Sequence, residues 1–155
     1  MAKSKRPAKA NSFLSGLERR IFAELEKHDI KVRYEPDRFV YKKRTTMTFC
    51  NTCGTKDTYK LARYTPDFRI GKNIYIETKG RFTSSNRSAM VDFLRSHPDF
   101  DLRFLFGADN FLTANHRTRY SDWCDSIGVK YAIKEIPKEW IDDARKQLAG
   151  GREPL

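Results

Sequence analysis

Apolar positions along this chain follow two different periods. Phe13, Leu14, Leu17, Ile21 and Leu25 recur at steps of three and four residues, which draws one apolar stripe along a helix. The pattern predicts that helix from a cap at Asn11 or Ser12 to about His28 or Asp29. Lys31 to Glu35 then alternates, with Val32 and Tyr34 on one face, as in a short strand halted at Pro36. Phe39-Val40-Tyr41 opens a further extended stretch. Beyond residue 80 the helical period returns from Asn86 to His97, capped from residues 81–85, with Met90, Phe93 and Leu94 inward and Pro98 ending it. Leu102 to Phe106 reads as a buried strand, and Gly107 to Thr118 as a polar loop. Tyr120 to Ile127 is a short helix stopped by Gly128, with Cys124 an ordinary small buried residue. Val129 to Ala132 is a last strand, and Pro137 opens a terminal helix.

The middle of the chain, RYTPDFRIGKNIYIETKG at residues 63–80, carries the densest signal. Two short apolar runs flank a Gly-Lys-Asn turn, the pattern of a β-hairpin. With a period of two, Asp67 and Arg69 face one way while Phe68 and Ile70 face the other. On the second strand Tyr75, Glu77 and Lys79 share a face, opposite Ile74, Ile76 and Thr78. Pairing across the turn brings Asp67 near Glu77 and Lys79. Two carboxylates and one ammonium then converge where hard cations and phosphates bind.

Charge sharpens this picture. The chain has 155 residues, a net charge of +11 and a pI near 9.7, which favours a polyanionic partner. From Arg38 to Arg63 there are seven basic residues and one acid, Asp57, interleaved with Phe39, Tyr41, Phe49 and Tyr59. Such a basic, aromatic surface suits a phosphodiester backbone; the same composition also fits a solvated connection whose aromatics pack locally. Residues 1–10 carry four cations and no acid, either a phosphate-binding arm or a solubilising tail. No run is long enough for a transmembrane helix, and the N-terminus lacks the apolar stretch of a secretory signal. Three cysteines make no disulfide framework, so a reducing, intracellular setting is expected. Cys50-Asn51-Thr52-Cys53-Gly54 has the spacing of half a zinc site, which a dimer would complete; a redox pair or two free thiols fit as well.

Metal-assisted cleavage of a phosphodiester requires charge neutralisation, an activated water and a stabilised leaving oxygen. Divalent ions bridged by carboxylates supply all three. Oxygen ligands select Mg²⁺ or Mn²⁺. Asp67 and Glu77 suit that task, with Lys79 to stabilise the phosphate or orient the water. Pro66 followed by Asp-x9-Glu-x-Lys matches the PD-(D/E)xK nuclease superfamily, although an ordinary surface hairpin with a Glu–Lys pair has the same letters. Glu18, at the edge of the first helix stripe, reads by itself as a solvated glutamate.

More of the chain resembles one branch of that superfamily, the endonuclease I family of short-tailed phages, which resolve Holliday junctions. The matching pieces are SGLE at Ser15–Glu18, YTPDF at Tyr64–Phe68, ETKG at Glu77–Gly80, HP-x-x-D-x-R at His97–Arg103, GVKYA at Gly128–Ala132 and IPKEWI at Ile136–Ile141. In order and spacing they cover roughly residues 12 to 141. The resemblance implies that Glu18 joins Asp67, Glu77 and Lys79 as the catalytic set. It implies one metal ion held by Asp67 and Glu77, with the Thr78 backbone carbonyl as a further ligand, and a second held by Glu18 and Glu77. It also implies an intertwined homodimer, in which the first helix of one subunit completes the site on the other's hairpin. The Cys50–Arg63 segment departs from the family, being longer and carrying the CxxC pair.

The expected fold is therefore α/β, a restriction-endonuclease-like mixed central sheet flanked by helices, in a domain-swapped homodimer. A basic arm at residues 1–11 precedes one nuclease domain at 12–148, with an inter-subunit bridge at 38–49, an insertion at 50–63 and a tail at 149–155. The expected function is Mg²⁺- or Mn²⁺-dependent resolution of four-way and other branched DNA, leaving 5′-phosphates. The competing expectations are a less structure-selective or sequence-specific nuclease of the same superfamily, and a basic DNA-binding protein without catalysis. As a phage protein it would work in the host cytoplasm, with no membrane partner.

Overall fold

The computed structural model describes residues 15–50 and 54–150, with side chains for 15–45 and 58–150. The first helix, α1, spans Gly16–Lys27. It starts later than the apolar stripe suggests, because Ser15 is extended (φ −131°, ψ 157°) and caps the helix by accepting the Glu18 N–H at 3.1 Å. The expected cap at Asn11 or Ser12 is thus corrected to Ser15. Ile21, Phe22 and Leu25 are the buried apolar residues of α1, with Leu17 packed at the edge of the same cluster.

The sheet has five strands: β1 (Arg33–Tyr34), β4 (Phe68–Arg69), β5 (Ile74–Lys79), β6 (Asp101–Phe106) and β7 (Lys130–Ile133), in the spatial order β1-β4-β5-β6-β7. It is mixed, since β4 runs antiparallel to both of its neighbours, β1 and β5, while β5, β6 and β7 are parallel. Helix α2 (Ser84–Ser96) links β5 to β6, and α3 (Tyr120–Ile127) lies between β6 and β7. Helix α4 (Lys138–Ala149) follows β7. Thr83 caps α2 in a reciprocal pairing with Asn86, and Gly128 ends α3 at φ 72°, a conformation that favours glycine. The expected short strand and helix after residue 119 are present, as is the buried LRFLF strand.

Alternation along the strands separates two cores. Ile74 and Ile76 of β5 and Leu105 of β6 pack with Ile21, Leu25, Trp140 and Ile141 of α1 and α4. Tyr75, Leu102, Phe104 and Phe106 point the other way and pack with Met90, Phe93, Tyr120 and Cys124 of α2 and α3. The sheet is thus covered on both sides, and β5 at its centre is buried from Ile74 through Thr78. Covering both faces of a strand removes water from any charged group placed on it.

Within residues 38–63, expected as an extended bridge and insertion, the described residues 39–50 and 54–63 belong to a two-stranded antiparallel ribbon. Strands β2 (Phe39–Cys50) and β3 (Gly54–Tyr64) pair from Phe39↔Tyr64 outward to Cys50↔Gly54. Its root packs on α2: the rings of Tyr41 and Tyr64 stand edge-on to Phe93 at 5.8 and 4.5 Å. Asp92, 4% exposed, accepts the Arg44 backbone N–H at 3.0 Å and its Nε–H at 2.8 Å. The expected zinc role of Cys50 and Cys53 falls on positions outside the described residues and side chains.

Candidate active site

Three chain segments deliver the four side chains that the sequence pattern and the family resemblance singled out. The β4–β5 register, Phe68↔Ile76 and Arg69↔Tyr75, carries Asp67 to the level of Glu77. Asp67 does not reach across to Lys79. Its carboxylate instead accepts two 2.7 Å hydrogen bonds from Thr78, one from the backbone N–H and one from Oγ1. A strand residue presents its N–H and C=O to the same edge. The Thr78 carbonyl therefore faces the edge of β5 where Asp67 lies, just beyond the end of β4.

Glu77 is 3% exposed. Lys79 Nζ pairs with its Oε1, and the Tyr64 hydroxyl donates to its Oε2 at 2.6 Å. Glu18 comes from α1, which packs against β5 of the same chain. It is buried, accepts from Tyr34 Oη at 2.7 Å and from Ser15 Oγ at 2.9 Å, and lies close enough to Lys79 to act on its charge. The four expected site residues thus meet at one end of β5 within a single chain.

Titration behaviour follows from this placement. Burial, then the neighbouring Glu77 charge, pushes the Asp67 carboxyl up to about 7 against the opposing pull of Thr78 and Lys79. Burial acts to lower the Lys79 pKa, but Glu77, with Asp67 and Glu18 behind it, raises it overall. Tyr64 is held well above its ordinary 10, by burial first and the Glu77 charge second, so its hydroxyl stays a donor.

Among the described residues no three His, Cys, Asp or Glu side chains form a ready cage for a metal ion. The donor chemistry nonetheless fits a hard cation. Asp67 and Glu77 offer oxygen only, the donor type that hard cations prefer.

Sequence reading missed the partners of these carboxylates. Tyr64 stood inside the YTPDF motif and Tyr34 on an apolar strand face, where both look like packing residues. It also missed Arg103, 2% exposed on β6, paired with Asp101 at 2.7 Å and Asp143 at 2.9 Å. The signal for that inward arginine was its place inside LRFLF, a run read as buried and buried from Leu102 through Phe106.

A mixed sheet covered on both faces, with buried carboxylates and a lysine gathered at the end of its central strand, defines an α/β protein with an acidic site at that strand's end. Its family is equally definite. The sequence signature of Phage endonuclease I matches residues 1–152, and the chain belongs to that family. It is 32% identical over 141 residues to Endonuclease I of Escherichia phage T7, an alignment covering 90% of this chain and 85% of that protein. It is 31% identical over 144 residues to Endodeoxyribonuclease 1 of Enterobacteria phage T3, covering 92% and 86%.

Proposed function

We propose that this chain is a structure-selective endodeoxyribonuclease that resolves four-way and other branched DNA junctions by paired, metal-dependent nicks. The observation that carries this reading is the Asp67–Glu77–Lys79 constellation around a buried Glu77, with buried Glu18 beside it, in a chain whose relatives are named as endonucleases. Asp67, Glu77 and the Thr78 carbonyl would hold one Mg²⁺ or Mn²⁺, and Glu18 with Glu77 a second. Bound there, the cations would neutralise the phosphodiester and activate a water.

The chain's own groups do the rest. Lys79 remains a charged donor, because its raised pKa keeps it protonated, and it suits a non-bridging phosphate oxygen better than the role of base. Glu77 anchors Lys79 and so sets the position of that ammonium. Lys42, Arg44, Lys60 and Arg63 along the ribbon are exposed and offer a basic track for duplex arms. Such contacts to phosphates favour shape over sequence.

The active unit in this reading is a homodimer of restriction-endonuclease-like subunits that exchange α1 and β1 across the ribbon. The ribbon leaves Leu61 74% exposed beside Val40 and Tyr59, an apolar strip that a second copy would cover. Two linked sites match the two-fold symmetry of a four-way junction.

The test uses purified protein with a labelled four-way junction and its matching linear duplex, in Mg²⁺, Mn²⁺, Ca²⁺ or EDTA. Junction cleavage in Mg²⁺ or Mn²⁺, with 5′-phosphate ends and little duplex cutting, is expected. Equal cutting of both DNAs defeats the junction reading, and binding without cleavage in any metal favours a binding protein. Mixing Glu18→Gln and Glu77→Gln chains tests the exchange. An exchanged heterodimer rebuilds one intact site and nicks the junction, whereas sites made within each chain stay inactive.

A further inference from the structure

Each of the two most buried carboxylates of the site is held by a phenol from another segment of the chain. Tyr64, the last residue of β3, donates to Glu77 Oε2 at 2.6 Å. Tyr34, on β1, donates to Glu18 Oε2 at 2.7 Å. The geometry is similar in both: one carboxylate oxygen is bound to the phenol, and Oε1 turns to another partner, Lys79 for Glu77 and Ser15 for Glu18.

Neither hydroxyl is free to wander. The Tyr64 ring stands edge-on to Phe93 at 4.5 Å, and its backbone pairs with Phe39. The Tyr34 ring lies 5.6 Å from Phe68, its own strand partner and the residue after Asp67. A tyrosine has two side-chain torsions against a lysine's four, so a packed ring fixes its hydroxyl more firmly than a lysine fixes its ammonium. An O–H donor selects one orientation of the carboxylate it binds. In a site where three acids face one lysine, nothing else described holds Glu77 Oε2 in place.

We infer that Tyr64 and Tyr34 are positioning residues, which orient Glu77 and Glu18 for a divalent cation. The inference rests on the metal-dependent reading of this site. It extends the site to the ribbon: because Tyr64 closes β3, the root of the basic ribbon also sets the orientation of Glu77.

Tyr64→Phe and Tyr34→Phe remove one oxygen each and keep the rings that pack on Phe93 and Phe68. The measurements are Mn²⁺ binding to the DNA-free full-length chain, from the electron paramagnetic resonance signal of free Mn²⁺, and kcat and KM on a four-way junction. Each variant is expected to weaken Mn²⁺ binding and lower kcat by roughly 10-fold to 100-fold, as groups that orient metal ligands do, with KM for DNA unchanged. Wild-type Mn²⁺ affinity and kcat in both variants overturns the inference, as does a defect confined to KM, which makes the phenols part of the DNA surface. Should Tyr64→Phe melt below the assay temperature, Tyr34→Phe on its separate strand decides alone. If the unsubstituted chain binds no Mn²⁺, the metal reading falls and this inference with it; if that chain binds and both variants bind equally, only the tyrosine inference falls.

Discussion

On β6, Arg103 is 2% exposed, yet every charge around it is answered. Asp101 and Asp143 pair with its guanidinium, Lys130 Nζ adds a contact to Asp143 at 3.6 Å, and the ring of Trp140 lies beneath it at 5.6 Å. Burial acts against the Arg103 charge, but the two aspartates raise its pKa overall, and Arg103 and Lys130 hold Asp143 low despite the burial of that acid. One strand away on β5, Glu77 is equally buried, but its surroundings hold three acids to one lysine. There Asp67 is driven up to about 7. Both clusters sit in the same sheet and both are hydrogen-bonded. The first cluster pairs its charges; in the second, burial and then the Glu77 charge hold the Asp67 carboxyl up.

The largest expected effect separates the clusters by function. Glu77→Gln should slow single-turnover junction cleavage by roughly a thousandfold or more, with junction binding by gel shift retained. Lys79→Ala should do the same, and a loss of binding along with cleavage would assign these residues to the DNA surface or the fold instead. Arg103→Met should behave in the opposite way. It leaves Asp101 and Asp143 without their shared partner, which costs about 3 kcal/mol in urea unfolding, while the folded fraction cleaves at the normal rate. A catalytic defect there would erase the distinction.

A smaller effect tests the Asp67 carboxyl itself. The folded pKa of Asp67, about 7, lies above its ordinary 3.8, so the folded chain binds the extra proton between those values. Stability must then fall as pH rises through that window, and the loss is complete above about 7. Asp67→Asn keeps an oxygen for the two Thr78 bonds and removes the charge. It should raise stability by roughly 1–2 kcal/mol at pH 8 and leave it unchanged near pH 3, measured by urea unfolding of the metal-free chain. The smallest effect is a cation's. Millimolar Mn²⁺ should raise Tm by a few degrees at pH 8 and by less at pH 5, where the Asp67 proton competes. Equal shifts at both pH values would mean that Mn²⁺ binds elsewhere.

Much of this was legible in the chain because its signals are local. The alternation in residues 63–80 set Asp67, Glu77 and Lys79 on neighbouring strands, and the turn made the pairing unambiguous. Short motifs in order, from SGLE to IPKEWI, marked the family and brought Glu18 into the site, although helix periodicity left it a surface residue. The start of α1 was misjudged because Phe13 and Leu14 extend the apolar stripe past a serine that is the better cap. The ribbon was missed because a flat run of basic and aromatic residues fixes neither a turn nor a register until the strands meet.

The sequence by itself determined that Asp67, Glu77 and Lys79 could be gathered on one hairpin, since residue type and strand period decide which side chains can share a face. Only the tertiary structure decided what those groups are held by. Tyr34, Tyr64 and Thr78 reach their carboxylates from other strands or the opposite face of the hairpin, and covering β5 on both sides is what shifts the Asp67 proton. Burial and cross-strand hydrogen bonds depend on distances between segments far apart in the chain, and no local period records them.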